Sequence, residues 1–269
     1  MTAFKLGNIH AEQYCRCPYL TIELHIEQGN LLEANGKDIG IVTGIRGPYR
    51  AWVTLQGEFD HSGATPMGSD YRKDANLALG YIMVHLDELA KRYLEEGKDI
   101  VQTTGVINSN SDLNKENKAV FNNAVSKVSG FAYFSHEVRS CDSAMRDKFC
   151  KEAGHLIHET ARKFGVIPKI DMIGSASGIK SLDLRIQGLL KDICKKLAYT
   201  SLPMPSGAWH DAAVVARQTR SDGRFIPVGM VFVPCKGGKS HNPEEYSSPE
   251  QIAKGASVLA VALLQLAQK

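Results

Sequence analysis

Between residues 45 and 175 the spacing of apolar residues changes period in a fixed order, and that order restricts the fold more than any bulk property of the chain. Arg50 to Glu58 reads as a strand, after which Ala75, Leu79, Ile82, Leu86, Leu89 and Tyr93 recur at helical spacing until Gly97 breaks the run. Ile100 to Ile107 and Phe131 to Arg139 read as two more strands, separated by a polar loop rich in Asn, Ser and Lys. A second stripe of Met145, Phe149, Ala153, Leu156, Ile157, Ala161 and Phe164 stops at Gly165, and Val166 to Met172 supplies the last strand. The order β-α-β-β-α-β predicts a ferredoxin-like unit, a four-stranded antiparallel sheet with both helices on one face. Its open sheet edges predict pairing with a second copy of the chain.

The flanking segments follow another plan. In Leu20 to Glu27, apolar Leu20, Ile22, Leu24 and Ile26 alternate with Thr21, Glu23, His25 and Glu27, which predicts a half-buried strand with His25 on its polar face. Gln28 and Gly29 come next, at the kind of strand end where α/β proteins place ligands. A strand over Ile39 to Ile45 follows. Beyond the small-residue run Gly174 to Gly178, the chain reads as a helix from Leu182 to Leu197, a loop holding Ser206 to Asp211, and a buried strand over Val228 to Val233. A final helix opens at Ser248-Pro249-Glu250-Gln251, where a serine cap, a proline at the first helical position and a glutamine three after the cap satisfy the first-turn donors.

Composition closes several options. The 269 residues are 43% hydrophobic and 23% charged, ordinary for a globular chain able to build its own core. A net charge of +3 without a dense basic block lacks the footprint of a nucleic-acid binder. The longest clean apolar stretch, Ala256 to Ala267, is too short to cross a bilayer, and the first thirty residues lack a signal-peptide core, so a soluble cytoplasmic protein without membrane association is expected. The six cysteines are scattered and read as reduced thiols; Cys15-Arg16-Cys17 with His10 nearby fits no structural zinc spacing. His155 and His158 flank the second helical stripe and read as solvated. His210 and Asp211 are adjacent, and adjacent side chains rarely face one another, so they do not read as an acid–base pair.

Seven short motifs occur in register: His25-Ile26-Glu27-Gln28-Gly29, Thr43-Gly44-Ile45, His61 to Met67, Arg72-Lys73-Asp74-Ala75, Glu137-Val138-Arg139, Ser206 to Ala212, and Phe232-Val233-Pro234 with Ser240-His241. In this set the chain resembles the carbamoylase and allantoate-amidohydrolase branch of the M20 metallopeptidase-like hydrolases, from about residue 19 to the C-terminus. The resemblance implies an α/β fold in which part of an M20-type catalytic domain, residues 1–44 and 176–269, flanks an inserted ferredoxin-like dimerisation domain at 45–175. It implies hydrolysis of a ureido or linear amide C–N bond in a small carboxylate-bearing substrate, using two divalent ions, zinc or manganese. His25 and His241 match metal ligands, one to each ion, and His61 matches a histidine that reaches into a partner subunit's site to stabilise the developing oxyanion. Arg139 matches the residue that holds the substrate carboxylate, Gln28 one that contacts its polar end, and Ser126 stands where the family has a substrate-contacting asparagine.

The chain also departs from that pattern. Residues 1–18 hold no His-x-Asp segment and no paired glutamates, so the remaining ligands and the general base have no counterpart. Trp209 replaces a family glycine, and Ser129-Gly130 replaces a Pro-Gly. Three readings stay open: a C-terminal portion inactive alone that binds no stoichiometric pair of ions, a non-catalytic dimerising module, and one chain of a split enzyme completed by a separate N-terminal half.

Overall fold

A computed structural model describes residues 20–109 and 123–267. In chain order its strands are β1 (Thr21–Ile26), β2 (Ile39–Ile45), β3 (Gly47–Gln56), β4 (Asp60–His61), β5 (Val101–Thr103), β6 (Ile107–Asn108), β7 (Lys127–Val128), β8 (Phe131–Ser140), β9 (Ile167–Ser175), β10 (Ser201–Ser206) and β11 (Val228–Val233). The helices are α1 (Leu31–Ala34), α2 (Ala75–Glu95), α3 (Ser143–Lys163), α4 (Leu184–Lys196), α5 (Asp211–Val215) and α6 (Pro249–Ala267). The described residues form two units, Arg46–Gly178 and the segments on either side of it.

The unit 46–178 has the strand order β5-β8-β3-β9 with every pair antiparallel, the ferredoxin-like arrangement. Alternation along β8 buries Ala132, Phe134, His136 and Val138 and leaves Tyr133, Ser135, Glu137 and Arg139 half-buried on the other face. The buried set packs with Leu79, Ile82, Leu86 and Leu89 of α2 and Phe149, Ala153 and Ile157 of α3, so one core lies between sheet and helices. Asp74 and Asp142 cap α2 and α3, each accepting two first-turn amides. The strand read over Ile100 to Ile107 is interrupted: Gly105 and Val106 donate their amides to Ser135 Oγ, which parts β5 from β6. Most of the polar loop that follows lies outside the described residues.

In the other unit the sheet order is β1-β11-β2-β10, with β1 parallel to β11, β10 parallel to β2, and β11 antiparallel to β2. Ile39, Ile41, Val231 and Val233 face α4 and α6. Val42, Met204, Met230 and Phe232 pack with Leu32 and Ala212 on the opposite side. β10 has no counterpart in the sequence reading, because Pro203 and Pro205 argue against a strand there. Its place at the sheet edge removes the objection, since an edge strand can leave amides unpaired. Among the described residues no helix is long and apolar enough to cross a membrane. Cys141, Cys150, Cys194 and Cys235 are free thiols, while Cys15, Cys17 and His10 lie outside the described residues.

Candidate functional site

β1 carries Glu23 and His25 on one face, and Glu27 follows its last residue. The Glu27 carboxylate accepts the amides of Leu31 and Leu32 at 2.7 and 2.9 Å, so its charge is spent holding the first turn of α1. Gln28 has a left-handed backbone (φ 59°) and donates Nε2 to Ser240 Oγ at 2.8 Å. That bond ties the end of β1 to the loop carrying His241. The approach is close: a Cβ on Gly238 would sit 2.8 Å from the Gly29 carbonyl carbon. His241 itself is exposed, and its amide donates to Glu245.

His210, the residue before α5, is buried with its ring centroid 4.6 Å from that of His25. Its Nε2 lies 2.9 Å from Ser206 Oγ and its Nδ1 3.8 Å from Glu23 Oε1, while Glu23 Oε2 accepts the Ala212 amide at 2.7 Å. Burial, followed by the neighbouring His25, pushes the His210 pKa down to about 4, so the ring is neutral near pH 7. His25 Nδ1 lies 2.9 Å from the Ile26 carbonyl, an acceptor, so Nδ1 carries the proton and Nε2 the lone pair. One ligand atom each from Glu23, His25 and His210 lies within 4.8 Å of the others, and His241 is outside this group. Two imidazoles and a carboxylate form a donor set that suits an ion of zinc's type. Asp211 is exposed, and the carboxylate nearest His210 Nδ1 is that of Glu23. Trp209 is partly buried against the cluster of Leu32, Met204 and Phe232.

In the unit 46–178, β4 and β7 pair His61 with Lys127, and the Ser62 amide donates to the Ser126 carbonyl at 3.0 Å. Phe59, Asp60, His61, Ser126 and Lys127 line a pocket of about 380 Å³, which brings His61 and Ser126 together. His61 Nδ1 accepts the amides of Gly63 and Ala64, both at 3.1 Å, so its neutral form carries the proton on Nε2. The guanidinium of Arg72 holds this loop through the carbonyls of Ser62, Thr65 and Pro66.

Arg139 lies on the half-buried face of β8, with Nη2 2.9 Å from Glu137 Oε1; Arg50 Nε donates to the same oxygen at 2.6 Å. Burial would raise the Glu137 carboxyl, but the hydrogen bonds from Arg139 and Arg50 outweigh it and hold the group below the usual carboxylate range. Two guanidinium groups thus share one carboxylate.

Two residues of these sites escaped sequence reasoning. Glu23 had a signal, two positions before His25 on the same strand face. His210 stood inside the Ser206 to Ala212 motif, but nothing there linked it to Glu23 and His25, which lie in another part of the sequence.

The sequence pattern of peptidase family M20/M25/M40 matches residues 12–265. The chain belongs to this family. Within it, the allantoate amidohydrolase of Escherichia coli (strain K12) is 32% identical over 246 residues, covering 91% of this chain and 54% of that protein. The N-carbamoyl-L-amino acid amidohydrolase of Geobacillus stearothermophilus is 30% identical over 247 residues, covering 92% and 54%. A crystal structure of an amidase of the hydantoinase/carbamoylase family from Burkholderia multivorans superposes with a TM-score of 0.77 at 28% identity, covering 91% of this chain and 54% of that one. The chain spans about half the length of the curated M20 relatives it matches.

Proposed function

We propose that this chain carries metal-binding and substrate-holding residues of an amidohydrolase that cleaves a ureido or linear amide C–N bond in a carboxylate-bearing substrate of the allantoate or N-carbamoyl-amino-acid class. The observation that carries the reading is His25, held at the end of β1 by the Ile26 carbonyl with Nε2 free, in a chain of the M20 family. His25 and His241 are the proposed donors, one to each of two divalent ions, zinc or manganese. Such an ion would polarise the scissile carbonyl as a Lewis acid. His61, with its proton on Nε2, donates to the oxygen that gains charge. Arg139 offers the planar fork that matches a carboxylate, and Gln28 and Ser126 supply polar contacts. The general base and further donors have no counterpart among these 269 residues, so the active species is an assembly in which another polypeptide segment supplies them.

The same reading makes the ferredoxin-like unit a dimerisation unit, with His61 serving the partner's site. Its edge strand β9 exposes Ile167, Met172 and Ile173, a row suited to pairing with a second copy. Light scattering should then give a dimer.

Ammonia release from allantoate and from N-carbamoyl amino acids tests the activity. It would be measured with zinc or manganese, for the chain alone and mixed with an N-terminal half of the Escherichia coli relative. Turnover is expected in the mixture only and is lost in His25→Ala. Arg139→Ala should raise KM, and His61→Ala should lower kcat by about a hundredfold or more. Turnover by the chain alone, or turnover indifferent to His25→Ala, contradicts the proposal.

A further inference from the structure

We infer that Glu23, His25 and His210 form a site for a single divalent cation of zinc's type, built entirely within the unit that carries β1. This goes beyond the hydrolytic reading, with which it shares only His25.

Ser206 Oγ lies 2.9 Å from the Ala208 carbonyl, which can only accept, so the hydroxyl hydrogen is committed there. Ser206 Oγ is therefore an acceptor toward His210 Nε2 at 2.9 Å, and the imidazole proton sits on Nε2. That leaves a lone pair on His210 Nδ1, 3.8 Å from Glu23 Oε1, which is also an acceptor. The separation is too long for a hydrogen bond, and no hydrogen is available to make one. His25 repeats the pattern, its Nδ1 proton given to the Ile26 carbonyl and its Nε2 left with a lone pair. Glu23 anchors Oε2 on the Ala212 amide and leaves Oε1 toward His210.

Each of the three side chains thus spends one polar atom on a fixed partner, and one ligand atom from each lies in a cluster no wider than 4.8 Å. Ligands of a metal ion are oriented in just this way, by hydrogen bonds from the atom that does not bind. The lone pairs of His210 Nδ1 and Glu23 Oε1, brought to 3.8 Å without a hydrogen between them, repel one another, and a cation bound there reverses the sign of that interaction. Donors bound at about 2.0–2.1 Å in a tetrahedron lie roughly 3.3–3.4 Å apart, so the His210–Glu23 pair needs to close by only a few tenths of an ångström. Two histidines, a glutamate and one open position form a known zinc arrangement.

Titration of the full 269-residue chain with zinc chloride, in competition with a chelator, tests this. One ion per chain is expected. Glu23→Gln, which keeps the shape and the Ala212 contact, should weaken binding by about tenfold or more. Ser206→Ala should weaken it by about 10–100-fold through loss of the His210 orientation. His210→Ala should abolish it, with thermal melting in chelator reporting whether that variant folds, and His155→Ala, at an exposed histidine of the other unit, should leave it unchanged. An ion retained in Glu23→Gln and Ser206→Ala, or one lost in His155→Ala, overturns the inference without touching the hydrolytic proposal; so does the absence of a bound ion.

Discussion

The buried guanidinium of Arg146 donates Nη1 to the carbonyl of Ala176 at 2.6 Å, across thirty residues of sequence. The same nitrogen reaches the carbonyls of Gly47 and Pro48 at 3.0 and 3.1 Å, so one side chain ties the first strand of the ferredoxin-like unit to the segment that leaves it. Arg146→Met would remove these three bonds from a buried site and is expected to cost about 3 kcal/mol of stability. Arg92→Met, which removes an exposed pair with Glu152, should cost about 1 kcal/mol or less. Urea denaturation of both variants decides the point, and equal losses would contradict it.

Arg72 fixes the loop that fixes His61. Its guanidinium meets the Ser62 carbonyl at 2.5 Å and the Thr65 carbonyl at 2.7 Å, and the loop in turn aims the Gly63 and Ala64 amides at His61 Nδ1. In Arg72→Ala the Gly63 and Ala64 amides should exchange with solvent at least about tenfold faster. Nitrogen chemical shifts of His61 should show the proton on Nε2 in the parent chain and a mixture of tautomers in the variant. Unchanged shifts would remove Arg72 from this role.

His136 sets an acid limit on the ferredoxin-like unit. It is buried on the helix-facing side of β8, its Nε2 has no hydrogen-bond partner, and burial pushes its pKa down to about 4. The unfolded chain takes up this proton near pH 6.5 and the folded chain does not, so stability is full above about 6.5 and falls as the pH drops toward 4. The loss from this group approaches about 3 kcal/mol. His136→Leu should flatten the dependence, measured as urea midpoints at several pH values between 7.5 and 4. An unchanged slope would show that the imidazole takes up its proton in the folded state.

Much of the architecture was legible because its signals are local. The stripes of α2 and α3 and the alternation of β8 repeat within single elements, so the ferredoxin-like order follows from spacing alone. β10 was hidden because its two prolines are tolerable only at an edge, a property of the sheet and not of the segment. The site divides in the same way. Glu23 and His25 share a strand face that the alternation displays, whereas His210 joins them through a contact in which Ala212 meets Glu23 across 189 positions. Residue spacing cannot encode such a contact; it could set Asp211 aside as a partner of His210 but could not point to Glu23.

The cation site at the end of β1 is tested most directly by zinc K-edge X-ray absorption on the zinc-loaded chain. The expected spectrum shows nitrogen and oxygen donors at about 2.0–2.1 Å, with the multiple scattering of two imidazoles and no sulfur shell. Glu23→Gln should remove zinc from the sample or alter that first shell. A sulfur shell near about 2.3 Å, a single imidazole, or a spectrum indifferent to Glu23→Gln would contradict the site.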